Sequence, residues 1–184
     1  LNHRVKNTLA ITQSLARQTL KRSPNPQDFI EAFSGRLRTL SDAHTLLADR
    51  DWAGIGMVEL VDSQLGPYVI YGDEQLTVSG EDVELPPDHA LGLGIILHEL
   101  ASNAARYGAL SVDGGKLGIV WTVENGEVRL KWSESGGPAV AENRESGFGS
   151  RLIQRSLDKI LGSRVDLDFA PGGVQAEISF PLAD

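Results

Sequence analysis

Cysteine is absent from the 184 residues, so disulfides and thiol chemistry are excluded. Any metal site would have to draw on histidine and carboxylates. No apolar run reaches 18 residues, and no signal peptide is visible, so no membrane-spanning helix is expected. A basic surplus is missing as well. Lys and Arg number 17 against 25 Asp and Glu, for a formal net charge of −8. Nucleic-acid binders usually carry clustered positive charge, so none is expected as a partner. An anionic ligand would have to be met by helix N-termini, a few Lys or Arg, or a divalent cation. Several catalytic signatures are also lacking. There is no GxxxxGK[ST] phosphate loop, no strand–GxGxxG–helix fingerprint, no HExxH and no GxSxG elbow. A nucleotide would therefore need another architecture, and a zinc hydrolase is not expected.

What remains is ordinary for a folded protein: 41% apolar and 23% charged residues, enough to bury a core. The length allows one medium domain or two small ones. No internal repeat or low-complexity tract occurs. The chain opens on Leu1 and reads as helix at once, so further N-terminal sequence is expected in a longer protein.

From Leu1 to about Lys21, apolar residues recur every three or four positions (Val5, Leu9, Thr12, Leu15, Ala16), the spacing of a helix face. Ser23-Pro24-Asn25-Pro26 breaks it. A second helix carries Phe29, Ile30, Phe33, Leu37, Leu40, Ala43, Leu46 and Leu47 on one stripe. The pair predicts an antiparallel helical hairpin whose apolar stripe needs a partner, either a second copy or a neighbouring domain. Residues 49–56 read as a linker. Met57 to Leu65 predicts a short helix, and Val69 to Leu85, punctuated by turns, predicts short strands. Pro86-Pro87-Asp88 opens a long helix to Tyr107, which Gly108 can end. Lys116 to Val123 and Glu127 to Trp132 flank Glu124-Asn125-Gly126, a hairpin signal. A loop over 134–149, a helix over about 150–161 and two strands, Val165 to Phe169 and Val174 to Phe180, complete the chain. The second part is thus expected to be an α+β sandwich, a mixed sheet with helices on one face.

Four segments carry polar chemistry. The first is Leu1-Asn2-His3-Arg4-Val5-Lys6-Asn7. The second is His98-Glu99-Leu100-Ala101-Ser102-Asn103-Ala104-Ala105-Arg106-Tyr107-Gly108. The third is Trp132-Ser133-Glu134-Ser135-Gly136-Gly137-Pro138, and the fourth is Gly147-Phe148-Gly149-Ser150-Arg151-Leu152-Ile153. Glu99 and Asn103 stand one helical turn apart on one face. A carboxylate and an amide there suit Mg²⁺, which takes oxygen ligands and keeps several waters. Arg106 lies a further turn on, where it could meet a phosphate. Taken alone, that segment reads more readily as an amphipathic helix with a solvated polar face. Glycines let a backbone approach a ligand closely, and Gly147-Phe148-Gly149 precedes a helix whose first amides could receive phosphate oxygens.

In this order, the four segments resemble the H, N, G1 and G2 boxes of sensor histidine kinases. They are most similar to the HWE subfamily, marked by a histidine in the N box (His98) and Trp-x-Glu in the G1 box (Trp132, Glu134). The resemblance runs from Leu1 to Phe180-Pro181. It implies a dimerisation and histidine-phosphotransfer hairpin over residues 1–50, forming a four-helix bundle if dimeric. It implies a Bergerat (GHKL-type) ATP-binding fold over residues 51–184. By the same resemblance His3 is the phosphoacceptor, Asn103 binds Mg²⁺ and Glu99 supports the metal or its waters. Arg106 and Tyr107 line the nucleotide pocket, and Glu134 receives the adenine amino group. Gly136, Gly147, Phe148 and Gly149 shape the pocket and its lid. ATP and Mg²⁺ are the implied cofactors. The implied partners are a second copy of the chain, an upstream sensor domain and the receiver domain of a response regulator, in the cytoplasm. The linker near 49–56 is the expected hinge.

Two features depart from the family pattern. Many histidine kinases place an acidic base after the phosphoacceptor; here Arg4 stands there, and the base is unassigned. The loop between Pro138 and Gly147 has eight residues, short for an ATP lid. Asn7, one turn after His3, stands where some kinases position water for phosphatase action. The alternative readings are a degenerate kinase acting as an ATP-binding scaffold, a GHKL-type serine kinase or anti-sigma regulator, and a helical interaction module.

Overall fold

The computed structural model describes residues 2–139 and 164–182. Helix α1 (Asn2–Arg22) and helix α2 (Pro26–Ala48) form the hairpin. Pro26 occupies the first turn of α2, where its missing N–H costs nothing. Asn25 caps that turn: its side-chain oxygen accepts from the Asp28 amide at 2.9 Å, and its own amide donates to the Asp28 carboxylate at 3.0 Å.

Strand β1 (Ile55–Gly56) pairs antiparallel with β3 (Glu84–Leu85), and helix α3 (Met57–Leu65) starts directly from β1. The expected linker therefore ends in a strand, and it begins in a tight reversal. There Asp51 (φ 51°) and Trp52 (φ 60°) both take left-handed backbone. Non-glycine residues hold that conformation only where contacts enforce it. Trp52 supplies them: its amide donates to the Leu47 carbonyl at 2.8 Å, and its ring meets the edge of His44 and the guanidinium of Arg4.

The stretch 69–85 is less sheet-like than its sequence suggests. Gly66–Tyr68 and Asp73–Gln75 are 3-10 turns, and only β2 (Leu76–Ser79) joins the large sheet. Gln75 explains the choice. Its buried amide donates to the carbonyls of Ala109, Val112 and Gly115, so the chain is anchored there by a side chain rather than by a ladder.

The large sheet is completed by β4 (Lys116–Glu124), β5 (Glu127–Ser135), β6 (Arg164–Ala170) and β7 (Gly173–Pro181), in the order β2-β4-β5-β7-β6. β2 runs parallel to β4 and every other neighbour is antiparallel, which makes the mixed sheet that was expected. Asn125 (φ 53°) and Gly126 (φ 76°) form the left-handed pair that a two-residue hairpin requires. Alternate residues of β5 (Val128, Leu130, Trp132, Glu134) are buried, as a half-covered sheet dictates.

Helix α4 (Pro87–Tyr107) lies at the centre, packed against α2 and α3. Its 90–97 stretch is buried on all sides. One apolar core runs without a break from Leu15, Leu40 and Leu47 of the hairpin through α3 and α4 to Trp132, Ile178 and Phe180 of the sheet. Each such aliphatic side chain contributes about 1.5–3 kcal/mol on burial. Gly108 ends α4, but through extended backbone (φ −113°, ψ −150°) rather than a left-handed cap. It is glycine for another reason: a Cβ there would lie 2.1 Å from Glu134 Oε1. The expected helix over 150–161 lies outside the described residues.

Candidate functional site

The second and third motifs meet where the end of α4 reaches the end of β5. Ala109 opens a 3-10 turn (Ala109–Ser111) straight after α4. Its amide donates to Glu134 Oε1 at 3.0 Å, while the Trp132 indole N–H donates to Glu134 Oε2 at 2.9 Å. Both the carboxylate and the tryptophan are buried. Residues i and i+2 share a strand face, so Trp-x-Glu delivers donor and acceptor to one side of the sheet. The indole ring fills the core, and its one polar atom fixes the glutamate. This gives Trp132 a chemical task that spacing alone did not reveal. The neighbouring glycines are sterically required. A Cβ on Gly137 would sit 2.8 Å from Ala109, and one on Gly173 would sit 2.1 Å from the Glu134 carbonyl. Gly136 (φ 70°) would clash with the Gly114 carbonyl at 2.8 Å.

Along α4, Asn103 is partly buried, whereas Arg106 and Tyr107 are exposed. Glu99 is in a different position. It is 5% exposed, and the Arg36 guanidinium of α2 grips both of its oxygens, Nε to Oε1 at 2.6 Å and Nη2 to Oε2 at 3.1 Å. Arg36 is itself buried, and its Nη1 donates to Thr19 Oγ1 of α1 at 3.1 Å. Thr19 in turn donates to the Leu15 carbonyl at 2.5 Å. Three helices thus converge on one buried ion pair, which is tolerated inside a protein only when geometry and extra hydrogen bonds are good.

His98 stands beside it. Its Nδ1 shares a hydrogen bond with the Tyr68 hydroxyl at 3.1 Å, and its Nε2 faces Gly35 of α2. Burial pulls the imidazole below its usual proton affinity; the Glu99 carboxylate opposes that pull, and Arg36 and Arg106 add to it. Burial likewise lowers His44, whose Nε2 lies 2.9 Å from Thr8 Oγ1.

His3 lies exposed in the first turn of α1, with Asn7 exposed one turn on. Arg4 does not point at a partner base; its guanidinium carbon sits 5.1 Å over the Trp52 ring. Sixteen residues of continuous helix separate His3 from Thr19, about 24 Å along the axis at about 1.5 Å per residue. The structure therefore brings Glu134 to the C-terminal end of α4, the helix that carries Asn103 and Arg106, while it turns Glu99 to the hairpin and leaves His3 at the hairpin's far end. Gly147, Phe148 and Gly149 lie outside the described residues.

Among the described residues, no group of three or more His, Asp or Glu could hold a metal alone. The donor set fits a cation that keeps phosphate and water ligands. The Asn103 side-chain oxygen is of the kind such a cation takes, Arg106 could meet only its phosphates, and both Glu99 oxygens are held by Arg36.

Sequence reasoning missed Arg36 and Thr19. The signal was available for Arg36: Phe33, Arg36, Leu40, Ala43 and Leu47 are spaced 3-4-3-4. A charge at a buried stripe position demands a buried counter-charge.

A hairpin that carries the first motif, joined to a mixed-sheet domain that carries the second and third, defines the class: a histidine kinase core with a GHKL-type ATP-binding fold. The sequence profile of the HWE histidine kinase family matches residues 1–82. A blue-light-activated histidine kinase of Brucella anthropi is 37% identical over 99% of this chain and 38% of its own length. Blue-light-activated histidine kinase 1 of Erythrobacter litoralis is also 37% identical, over 99% of this chain and 52% of its own. Among solved structures, the blue-light activated histidine kinase of Erythrobacter litoralis EL346 shares the fold with a TM-score of 0.71. It is 16% identical, covering 96% of this chain and 59% of that one. The chain belongs to the HWE histidine kinase family. It spans about two-fifths to half of the length of these two curated relatives.

Proposed function

We propose that this chain is the kinase core of a two-component sensor, transferring the γ-phosphoryl group of ATP to His3 and then to an aspartate of a response-regulator receiver domain. The observation that carries this is the presence, in one chain, of an exposed histidine on a helical hairpin and an ATP-binding fold of the histidine-kinase type. Phosphoryl transfer passes through a loose transition state, so the protein chiefly positions groups and offsets charge. Asn103, with Glu99 one turn away, would hold Mg²⁺, which neutralises triphosphate charge when bound. Arg106 would meet a phosphate, and Tyr107 would line the pocket. Glu134 would accept the adenine amino group, with Gly136, Gly147, Phe148 and Gly149 shaping pocket and lid. A neutral imidazole is a competent nucleophile near neutral pH, its ordinary pKa being about 6.5.

Residues 1–50 serve as the dimerisation and phosphotransfer unit and 51–184 as the catalytic unit in this reading. Val5, Leu9, Leu20 and Ile30 are exposed apolar residues of the hairpin, and a second copy would cover them. A sensor elsewhere in the protein would supply the input, and the cytoplasm, where ATP is available, is the natural location. No described helix is long and apolar enough to cross a membrane.

The test is incubation of the chain with γ-labelled ATP and Mg²⁺. Label that is lost in acid and kept in alkali supports phosphohistidine. The reverse stability points to a serine kinase. Bound ATP without transferred label points to a scaffold.

A further inference from the structure

The Glu99 carboxylate is assigned two incompatible partners. The proposed function, on which this inference rests, gives it to the metal-nucleotide. The fold gives both of its oxygens to Arg36, from the other part of the chain. The pairing is not a surface accident. Arg36 and Glu99 are 4% and 5% exposed, and Thr19, fully buried, braces the guanidinium from α1. His98, the preceding residue, faces α2 at Gly35. Two consecutive residues of the second motif thus face the hairpin, beside the apolar core that also holds it.

The same seating holds the nucleotide site away from the acceptor. Glu99 lies level with Thr19 through Arg36, and His3 lies about 24 Å further along α1. Asn103 is one turn of α4 from Glu99, about 6 Å along its axis. A γ-phosphate held at Asn103 would not reach the imidazole of the same chain in this arrangement.

We infer that Arg36 is a positioning residue that latches the hairpin onto Glu99, so that hairpin seating and Mg·ATP binding compete for one carboxylate. Nucleotide binding then unseats the hairpin, and the unseated catalytic unit is the form able to approach His3. Because coupling between two events is reciprocal, whatever stabilises the seated hairpin weakens Mg·ATP binding by the same factor. Arg36 enters this coupling through the Glu99 carboxylate, which it holds by both oxygens.

Two measurements test this on the whole chain. The first is the Kd for Mg·ATP of the parent and of Arg36→Met. The expected result is tighter binding by the variant, about five-fold or more, with ATP binding in EDTA changed little. Equal or weaker Mg·ATP binding by a folded variant overturns the latch and leaves the kinase reading standing. A parent that binds no Mg·ATP overturns both. The second measurement needs no change at Arg36. The chain lacks cysteine, so Glu31→Cys on α2 and Val120→Cys on β4, both exposed, accept a spin-label pair. Mg·ATP is expected to lengthen and broaden the label–label distance. An unchanged distance under saturating Mg·ATP overturns the inference even where Arg36→Met does not fold.

Discussion

Two buried glutamates, Glu99 and Glu134, come from neighbouring motifs and are held in opposite ways. Glu134 takes neutral N–H donors, the Trp132 indole and the Ala109 amide, both from its own half of the chain. Glu99 takes a guanidinium from 63 residues away, across the joint between hairpin and catalytic unit. A carboxylate held by neutral donors two and 25 residues away, on the sheet and on the turn packed against it, has no inexpensive alternative geometry. A carboxylate held by a long charged side chain on another element keeps its strong partner only while the two elements stay packed. The first arrangement suits a fixed recognition group, the second a joint that opens.

Breaking each site separately should expose that contrast. Arg36→Ala leaves Glu99 buried without its counter-ion, and loss of one partner of a buried pair costs about 3–5 kcal/mol. A urea midpoint lowered to that extent, with increased hydrogen exchange in α2, is the expected outcome. A change under about 1 kcal/mol would mean that water replaces the guanidinium at once.

Trp132→Phe keeps an aromatic ring in the core but removes the indole N–H. The orphaned acceptor should cost about 1–3 kcal/mol, with the loss confined to the sheet half and ATP binding weakened. Hydrogen exchange that rises in the hairpin instead would show that the two sites are not independent.

The smallest expected effect is that of pH. His98 has its proton affinity lowered by burial, so the unfolded chain binds more protons than the folded one below about pH 6.5. Stability contributed by neutral His98 is therefore complete above that pH and is lost as the pH falls toward the depressed folded value. His98 sits on the hairpin joint, and His44, shifted the same way, sits beside the linker. Acid should loosen the hairpin before the sheet. His98→Gln should flatten the acid limb of a midpoint-versus-pH curve; a limb of unchanged slope would assign it to other groups.

Much of this was legible in the chain. Helices α3 and α4 begin and end where Met57, Leu65, Pro87 and Tyr107 suggest, and Asn125-Gly126 marks its hairpin turn. These signals are local: capping, proline placement and left-handed turn residues act within one turn of chain. The pairing of β1 with β3 was not legible, because a two-residue strand has no periodicity to detect. Gly108 is legible as the end of α4, yet its glycine is required by a glutamate 26 residues on. Trp132 had no visible role until Glu134 was seen beside its indole nitrogen. Arg36 stands at helical spacing with Phe33, Leu40, Ala43 and Leu47, so its burial was legible, but its counter-ion 63 residues away was not. Long-range partners are what a single sequence conceals.

The most direct test of the account is to compare the parent chain with His3→Gln in the same labelled-ATP reaction. His3 is exposed and makes no core contact, so the substitution should leave the fold and the Kd for ATP unchanged. Acid-labile label is expected on the parent and none on the variant. Label of equal yield on the variant would place the acceptor elsewhere and contradict the central claim.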